Sequence, residues 1–469
     1  MTKSILERSL PILLASIIVL TLGLPYTKMW FYGDACGDLL HAMTGTPTQF
    51  FAEGNPYNAH LPDNVPPNSG SFISSLYRPL GFCYQYFQIQ WWGDNPYCFF
   101  LASILLHALI AILLLSILLQ LTRPWLAFGG ALFFSLHPSV VEWVYWIAMQ
   151  QYFIETLSFV LLLLSLYRYL QTNKIAWYLV ACFFYMHCLF LREQLFIWPI
   201  ALTIILYFWR KNLTISVGFW LINVGYLYVR SLVLPLVPSA PVIHHGTAGS
   251  LASMKLRWME VVSMLSDVLG LAWLPSGNRM IKGGIMVLVV LTIAWLLRKV
   301  NHNVRLIFAL GCVTFLLCVW PSLILCHRER YIYTGLLIMT AVSTVLIDAA
   351  MSQLRVWQCR VLLSCLVGVL LINTVWAVRE MQQHEERTHW IGSVYHQLIH
   401  NHRAIFDAPC CFYAIPLPFY DVAQHIKMLG GKQPVYCVDK KENLKKQFLS
   451  DHLRFITWDV ERREFVVEL

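Results

Sequence analysis

The chain has 469 residues, of which 58% are hydrophobic and only 13% charged, with a formal net charge of +9. A soluble domain is roughly a quarter charged, so a soluble globular protein is excluded. No RNA- or DNA-binding module is evident, and the positive excess reads as a membrane-topology signal, not a nucleic-acid footprint.

The mean hydropathy of +0.59 is concentrated in blocks close to the ~20 apolar residues that cross a bilayer. The expected fold class is therefore an all-α polytopic membrane protein. The first block, Leu10–Leu24, follows Lys3 and Arg8 and is trailed by "LPYTKMW". That stretch offers no small-residue cleavage site, so we expect an uncleaved first span over 10–28 instead of a signal peptide. A long loop, 29–96, rich in Pro, Asn and aromatics, comes next. It opens with "FYGDACGDLL", carrying Asp34 and Asp38, and later holds "LYRPLGF" with Arg78. Further spans are expected over 97–121, 125–141, 153–170, 175–191, 195–209 and 213–235. Segment 236–283 is amphipathic over "KLRWMEVVSMLSDVLGLAWLP" and should lie on the membrane or dip into it. Spans over 284–298, 304–322, 331–350 and 360–378 complete a membrane domain at 1–378, with about 11 spans of the ~20-residue kind. The tail, 379–469, is charged. Its short β-like runs "CCFYAIPL", "PVYCV", "FITWDV" and "EFVVEL" surround a helical stretch at 418–429. We expect a small extracytoplasmic α/β unit.

Short connections carrying Arg123, Arg168 and Lys174, Arg210 and Lys211, Arg298, Lys299 and Arg305, and Arg355 and Arg360 fall on one side of this arrangement. The positive-inside rule makes that side cytoplasmic. The N-terminus is then cytoplasmic and the C-terminus extracytoplasmic. Almost all non-helical sequence lies on the outer face, and function is expected there.

Several outer-face residues could carry chemistry. Asp34 and Asp38 would share a face if helical, or would be solvated acids or helix caps. Arg78 is a fork-shaped donor suited to phosphate or carboxylate, or an interfacial anchor. In "SLHPSVVEWVYWIAMQQ", Pro138 should begin a helix, with His137 before it and Glu142 one turn in; a carboxylate at membrane depth is costly unless paired or facing water. "FLREQLFIWP" sets Arg192 and Glu193 in a short outer turn. "CHRERYIYTG" does the same with Glu329, Arg330 and Tyr331. Cations there oppose the positive-inside bias and suit a lipid phosphate, or they anchor headgroups. His244 and His245 have no acid nearby and make a poor metal site. The 13 cysteines show no CxxC pair, and most read as buried small hydrophobes; Cys36, Cys83, Cys98, Cys410, Cys411 and Cys437 lie outside or near span ends, where a disulfide is left open with no pairing assigned. No phosphate-binding glycine loop, zinc-protease motif or nucleophile elbow appears.

In order, "YRPLGF", "ILLHALIAILLL", "SLHPSVVEWVYWIA", "LREQLFIWPIAL", "YLYVR" and "RERYIYTG" resemble the GT-C fold membrane glycosyltransferases. The likeness is nearest to bacterial relatives of the transmembrane O-mannosyltransferases with tetratricopeptide repeats, and it covers most of 25–350. The repeats themselves are absent here. The resemblance implies a polyprenyl-phosphate-sugar-dependent hexosyltransferase in a membrane, with an acid of the first outer loop serving the reaction. Asp34 matches that position and Asp38 is the second candidate. Arg78 matches the "YRP" arginine, His137 and Glu142 the "HP…E" element, Arg192 and Glu193 a basic–acidic pair, and Glu329, Arg330 and Tyr331 the "ERY" element. This chain departs from the family pattern where Ala35 follows Asp34 and where Met149, Gln150 and Gln151 follow "WIA".

A phosphate leaving group needs no general acid. One carboxylate could deprotonate the acceptor hydroxyl as it attacks the anomeric carbon from the far side, giving inversion, while arginines stabilise charge on the lipid phosphate. The expectation is Asp34 as base, with Arg330, Arg192 and Arg78 as phosphate ligands in that order. His137, Glu142, Glu193, Glu329 and Tyr331 would support the site. The acceptor would be a protein, lipid or glycan, and membrane lipids would surround the chain. No cofactor is assigned; a divalent metal is left open, although no ligand spacing supports one. The setting would be a bacterial inner membrane. A lipid-linked glycan polymerase or ligase, or a lipid or solute transporter, is the competing reading. The first would carry a large arginine-rich loop late in the chain. The second would show inverted repeats or paired half-helices, and neither feature is found.

Overall fold

The computed structural model describes residues 5–23, 39, 42–43, 45–53, 77–93, 95–209, 213–233, 279–325, 332–401, 410–413, 426, 435–438, 454–459 and 464–468. Asp34, Asp38, Glu329, Arg330 and Tyr331, the segment 236–278, the histidines 244 and 245, and nearly all of 418–429 lie outside them.

The helices in chain order are α1 (Ile5–Gly23), α2 (Pro47–Glu53), α3 (Pro79–Trp92), α4 (Pro96–Leu121), α5 (Pro124–Ser135), α6 (Pro138–Val144), α7 (Gln150–Thr172), α8 (Ile175–Leu191), α9 (Trp198–Trp209), α10 (Thr214–Val233), α11 (Arg279–Lys299), α12 (His302–Leu325), α13 (Tyr333–Met351) and α14 (Val356–Asn401). Six of the described helices are long and apolar enough to cross a membrane, and the protein is an integral membrane protein. The helices that correspond to expected spans start within five residues of them, except that α6 begins inside one.

Proline sets the punctuation. Each helix from α2 to α6 begins with one, where the missing N–H costs nothing and the fixed φ favours helix entry. Asn95 adds a cap to α4, its side chain accepting from the Tyr97 N–H at 3.1 Å. The expected span over 125–141 is split for the same reason. Pro138 disfavours a helical conformation at His137, so α5 stops at Ser135 and α6 starts afresh. The α7–α8 hairpin turns at Asn173, which is left-handed at φ 52 and donates its N–H to Tyr169 O at 2.7 Å, a common helix stop.

One continuous core holds the bundle. Helices α7 and α8 pack along each other, as do α12 and α13, while α4 bridges α1, α5 and α7. Near the middle, Tyr333 is completely buried. Its ring lies 4.8 Å from Phe153, 5.3 Å from Phe134 and 5.6 Å from Trp143. Such ring pairs add about 0.5–1.5 kcal/mol each beyond area burial.

Helix α14 is 46 residues long, or about 69 Å at 1.5 Å per residue, against a hydrocarbon core of about 30 Å. It runs uninterrupted past 378, packing its far half on α6 and reaching β4. The tail carries four strands, β1 (Cys410–Tyr413), β2 (Val435–Val438), β3 (Arg454–Asp459) and β4 (Glu464–Glu468), in the order β2-β1-β3-β4. The first three are parallel, and β4 closes the edge antiparallel to β3. These are the four runs singled out in the sequence.

Candidate functional site

Two of the motifs singled out in the sequence meet in space. Arg78 precedes α3, and Glu193 opens the short 3-10 turn Glu193–Ile197 after α8. Arg78 Nε donates to Glu193 Oε2 at 3.1 Å, and the Tyr77 N–H donates to Glu193 Oε1 at 3.0 Å. One carboxylate thus holds both a guanidinium and the backbone beside it. Burial pushes the Glu193 carboxyl up. The Arg78 guanidinium, with the hydrogen bonds from the backbone and from Arg78, outweighs it and holds the carboxyl below the usual glutamate range.

Tyr77 is fully buried and ties this pair to its surroundings. Its hydroxyl donates to Phe51 O in α2 at 2.9 Å, and its own carbonyl accepts from the Tyr226 hydroxyl of α10 at 3.3 Å. Helix α2 lies between α1 and α3, in the same stretch as Asp34 and Asp38, and Leu39, next in sequence to Asp38, is buried in the main core. The loop that carries the acids is therefore anchored to the bundle on either side of 40–50.

Arg192 lies one residue before Glu193. The end of α8 leaves it extended, at φ −162 and ψ 142, and its side chain turns inward, with only 4% exposed. The guanidinium carbon stands 3.4 Å from the centroid of the Tyr152 ring on α7, a cation–π contact. One helical turn further along α7 lies Glu155. It is 0% exposed, and neither carboxylate oxygen has a hydrogen-bond partner among the described residues. It interacts electrostatically with Arg192, Arg78 and Glu193. Tyr226 likewise feels Glu193, Arg230 and Arg78.

The result is a mixed cluster of arginines, two glutamates and tyrosines, drawn from α7, α10 and the entries and exits of α3 and α8. Of the residues expected from sequence, it unites Arg78, Arg192 and Glu193. His137 sits apart in the α5–α6 break, buried with its ring 5.4 Å from Phe133. Glu142 lies in α6, and its side chain is not described. Glu155 and Arg230 were missed. Glu155 could have been found as an ionisable residue inside an apolar span; Arg230 ends the quoted "YLYVR".

The segment holding Glu329, Arg330 and Tyr331 leads directly into α13, whose first turn is clamped. His107 Nε2 lies 3.1 Å from the Ser135 carbonyl, which can only accept, so Nε2 carries the proton. Nδ1 then accepts from the Tyr333 hydroxyl at 2.7 Å. Thr334 and Thr156 hydroxyls pair at 2.6 Å, joining α13 to α7. The same α7 therefore supports both α13 and the Arg192 guanidinium. Among the described residues, no group of three or more His, Cys, Asp or Glu could hold a metal ion.

No family model matches the chain, and no curated protein matches it. Among solved structures, ArnT from Cupriavidus metallidurans bound to undecaprenyl phosphate is similar over 93% of this chain and 87% of that one, with a TM-score of 0.50 and 12% sequence identity. The chain has the GT-C fold. At 12% identity the likeness lies in the path of the helices more than in shared side chains.

Proposed function

We propose that the chain is an inverting glycosyltransferase that moves a sugar from a polyprenyl-phosphate donor to an acceptor hydroxyl at the outer membrane face. The observation that carries this reading is the Arg78–Glu193–Arg192 cluster. It gathers the buried Arg192 and the partly buried Arg78 at the end of the bundle where the positive-inside rule disfavours cations. A lipid phosphate is an anion that would meet such cations, and the similar ArnT structure holds undecaprenyl phosphate.

In this reading Asp34 removes the acceptor proton and Asp38 is the alternate base. Arg330, Arg192 and Arg78 stabilise the phosphate as the glycosidic bond breaks. Glu193 fixes Arg78, and His137, Glu142, Glu329 and Tyr331 support the surrounding elements. Attack opposite the leaving phosphate inverts the anomeric centre. The membrane would be a bacterial inner membrane, with the N-terminus cytoplasmic and the tail outside. The acceptor would be a protein, lipid or glycan.

Incubating purified protein with radiolabelled polyprenyl-phosphate sugar and a membrane extract tests the proposal. Label appearing in a new covalent product supports transfer. Movement of intact donor across vesicles, with no new bond, would replace the transferase by a transporter.

A further inference from the structure

We infer that the cytoplasmic half of the bundle holds a site for one anionic phospholipid of the inner leaflet, with its acyl chain in an apolar groove and its headgroup on a basic rim. The groove has a volume of about 870 Å³ and lies between α5, α11, α13 and α14; Trp125, Gly129, Trp295, Leu346, Trp357 and Val361 are among the residues that line it. It exists because α14 stands off from the bundle: only 11% of its spanning window is buried. Lining residues on α14 run from Trp357 to Leu370, about 20 Å of helix, a length that suits an acyl chain.

The charge around the groove's inner end is one-sided. Arg298 and Lys299 close α11, Arg355 precedes α14 and Arg360 lies in its first turns. Stretches 122–124, 298–305 and 352–360 contain no acid. Asp348 on α13 is already engaged by Arg123, Nε to Oδ1 at 3.3 Å. Arg305 is also occupied, its Nε donating to Leu297 O at 2.8 Å and Val300 O at 3.1 Å. The four remaining cations face an interface where anionic headgroups concentrate. Two tryptophans of the groove, Trp125 and Trp357, are 44% and 61% exposed, as befits side chains that sit at headgroup level. The charge complementarity selects an anionic phospholipid over a zwitterionic one. The inference does not depend on the reaction proposed above.

The test uses the full-length protein in mixed micelles containing equal phosphatidylglycerol and phosphatidylethanolamine, with bound lipid counted by native mass spectrometry. Wild type should retain one phosphatidylglycerol in preference to phosphatidylethanolamine by about tenfold. A Cβ at Gly129 would meet no atom within 4 Å, so Gly129→Phe can fill the groove without a backbone clash and should abolish the retained lipid. The combined Arg298→Gln, Lys299→Gln, Arg355→Gln, Arg360→Gln variant should keep a lipid but lose the headgroup preference; it leaves the groove intact should Gly129→Phe fail to fold. Equal retention of the two lipids by wild type, a preference that survives the charge variant, or a second protein copy in place of lipid would each overturn the inference.

Discussion

The two ends of this bundle treat charge in opposite ways. At the end that carries Arg78, Arg192 is almost wholly buried, Glu155 is completely so, and Glu193 binds Arg78 across 115 positions of sequence. At the opposite end the one described ion pair, Arg123–Asp348, has an arginine side chain 45% exposed. Arg305 there bonds to carbonyls only a few residues away, at the end of α11. Described charge at the Arg123 end is thus local and partly solvated. Charge around Arg192 is assembled from distant segments and largely taken out of water, which costs several kcal/mol per ion unless something compensates.

Substitutions at the two ends should therefore differ in size. The largest effect is expected for Glu193→Ala, which strips the carboxylate from both Arg78 and the Tyr77 N–H. We expect a loss of about 3–5 kcal/mol in unfolding free energy, read by thermal unfolding, together with loss of transfer. Glu155→Gln keeps the volume and replaces the carboxyl beside Arg192 with an amide. It should change sugar transfer more than melting temperature; equal small effects on both would remove Glu155 from the site. Arg123→Gln, the counterpart at the opposite end, should cost no more than about 1 kcal/mol and leave transfer unchanged. A large effect there would break the contrast between the ends.

The smallest effect concerns pH. Because the folded Glu193 carboxyl titrates below its unfolded value of about 4.3, the stability it contributes is fully present above that value. It is lost as pH falls through the lowered folded value. Wild type and Arg78→Gln should therefore differ most in stability at neutral pH and converge in strong acid, as urea unfolding across that range would show. A difference that persists into strong acid would mean that Arg78 stabilises the fold by packing and not through Glu193.

Much of the fold was legible because its signals are local. Apolar blocks located the spans, and Pro138 marked the α5–α6 break although the block around it reads as one span. The extent of α14 was less visible: its apolar stretch ends near 378, while the charged residues that follow still favour helix. The site was legible only in part. Arg78, Arg192 and Glu193 each stood out as polar residues at a membrane edge, but their convergence depends on how α3 meets α8. Glu155 was hidden within "YFIETLSFV", where hydropathy averages it away. The His107–Tyr333 clamp joins residues 226 positions apart, a separation at which local pattern carries no pairing information.

The most direct test of the account is sugar transfer by Asp34→Asn. The account predicts a folded, membrane-inserted protein that transfers no label from a polyprenyl-phosphate donor. Transfer at the wild-type rate would contradict it and move the base elsewhere, with Asp38 the next residue to replace.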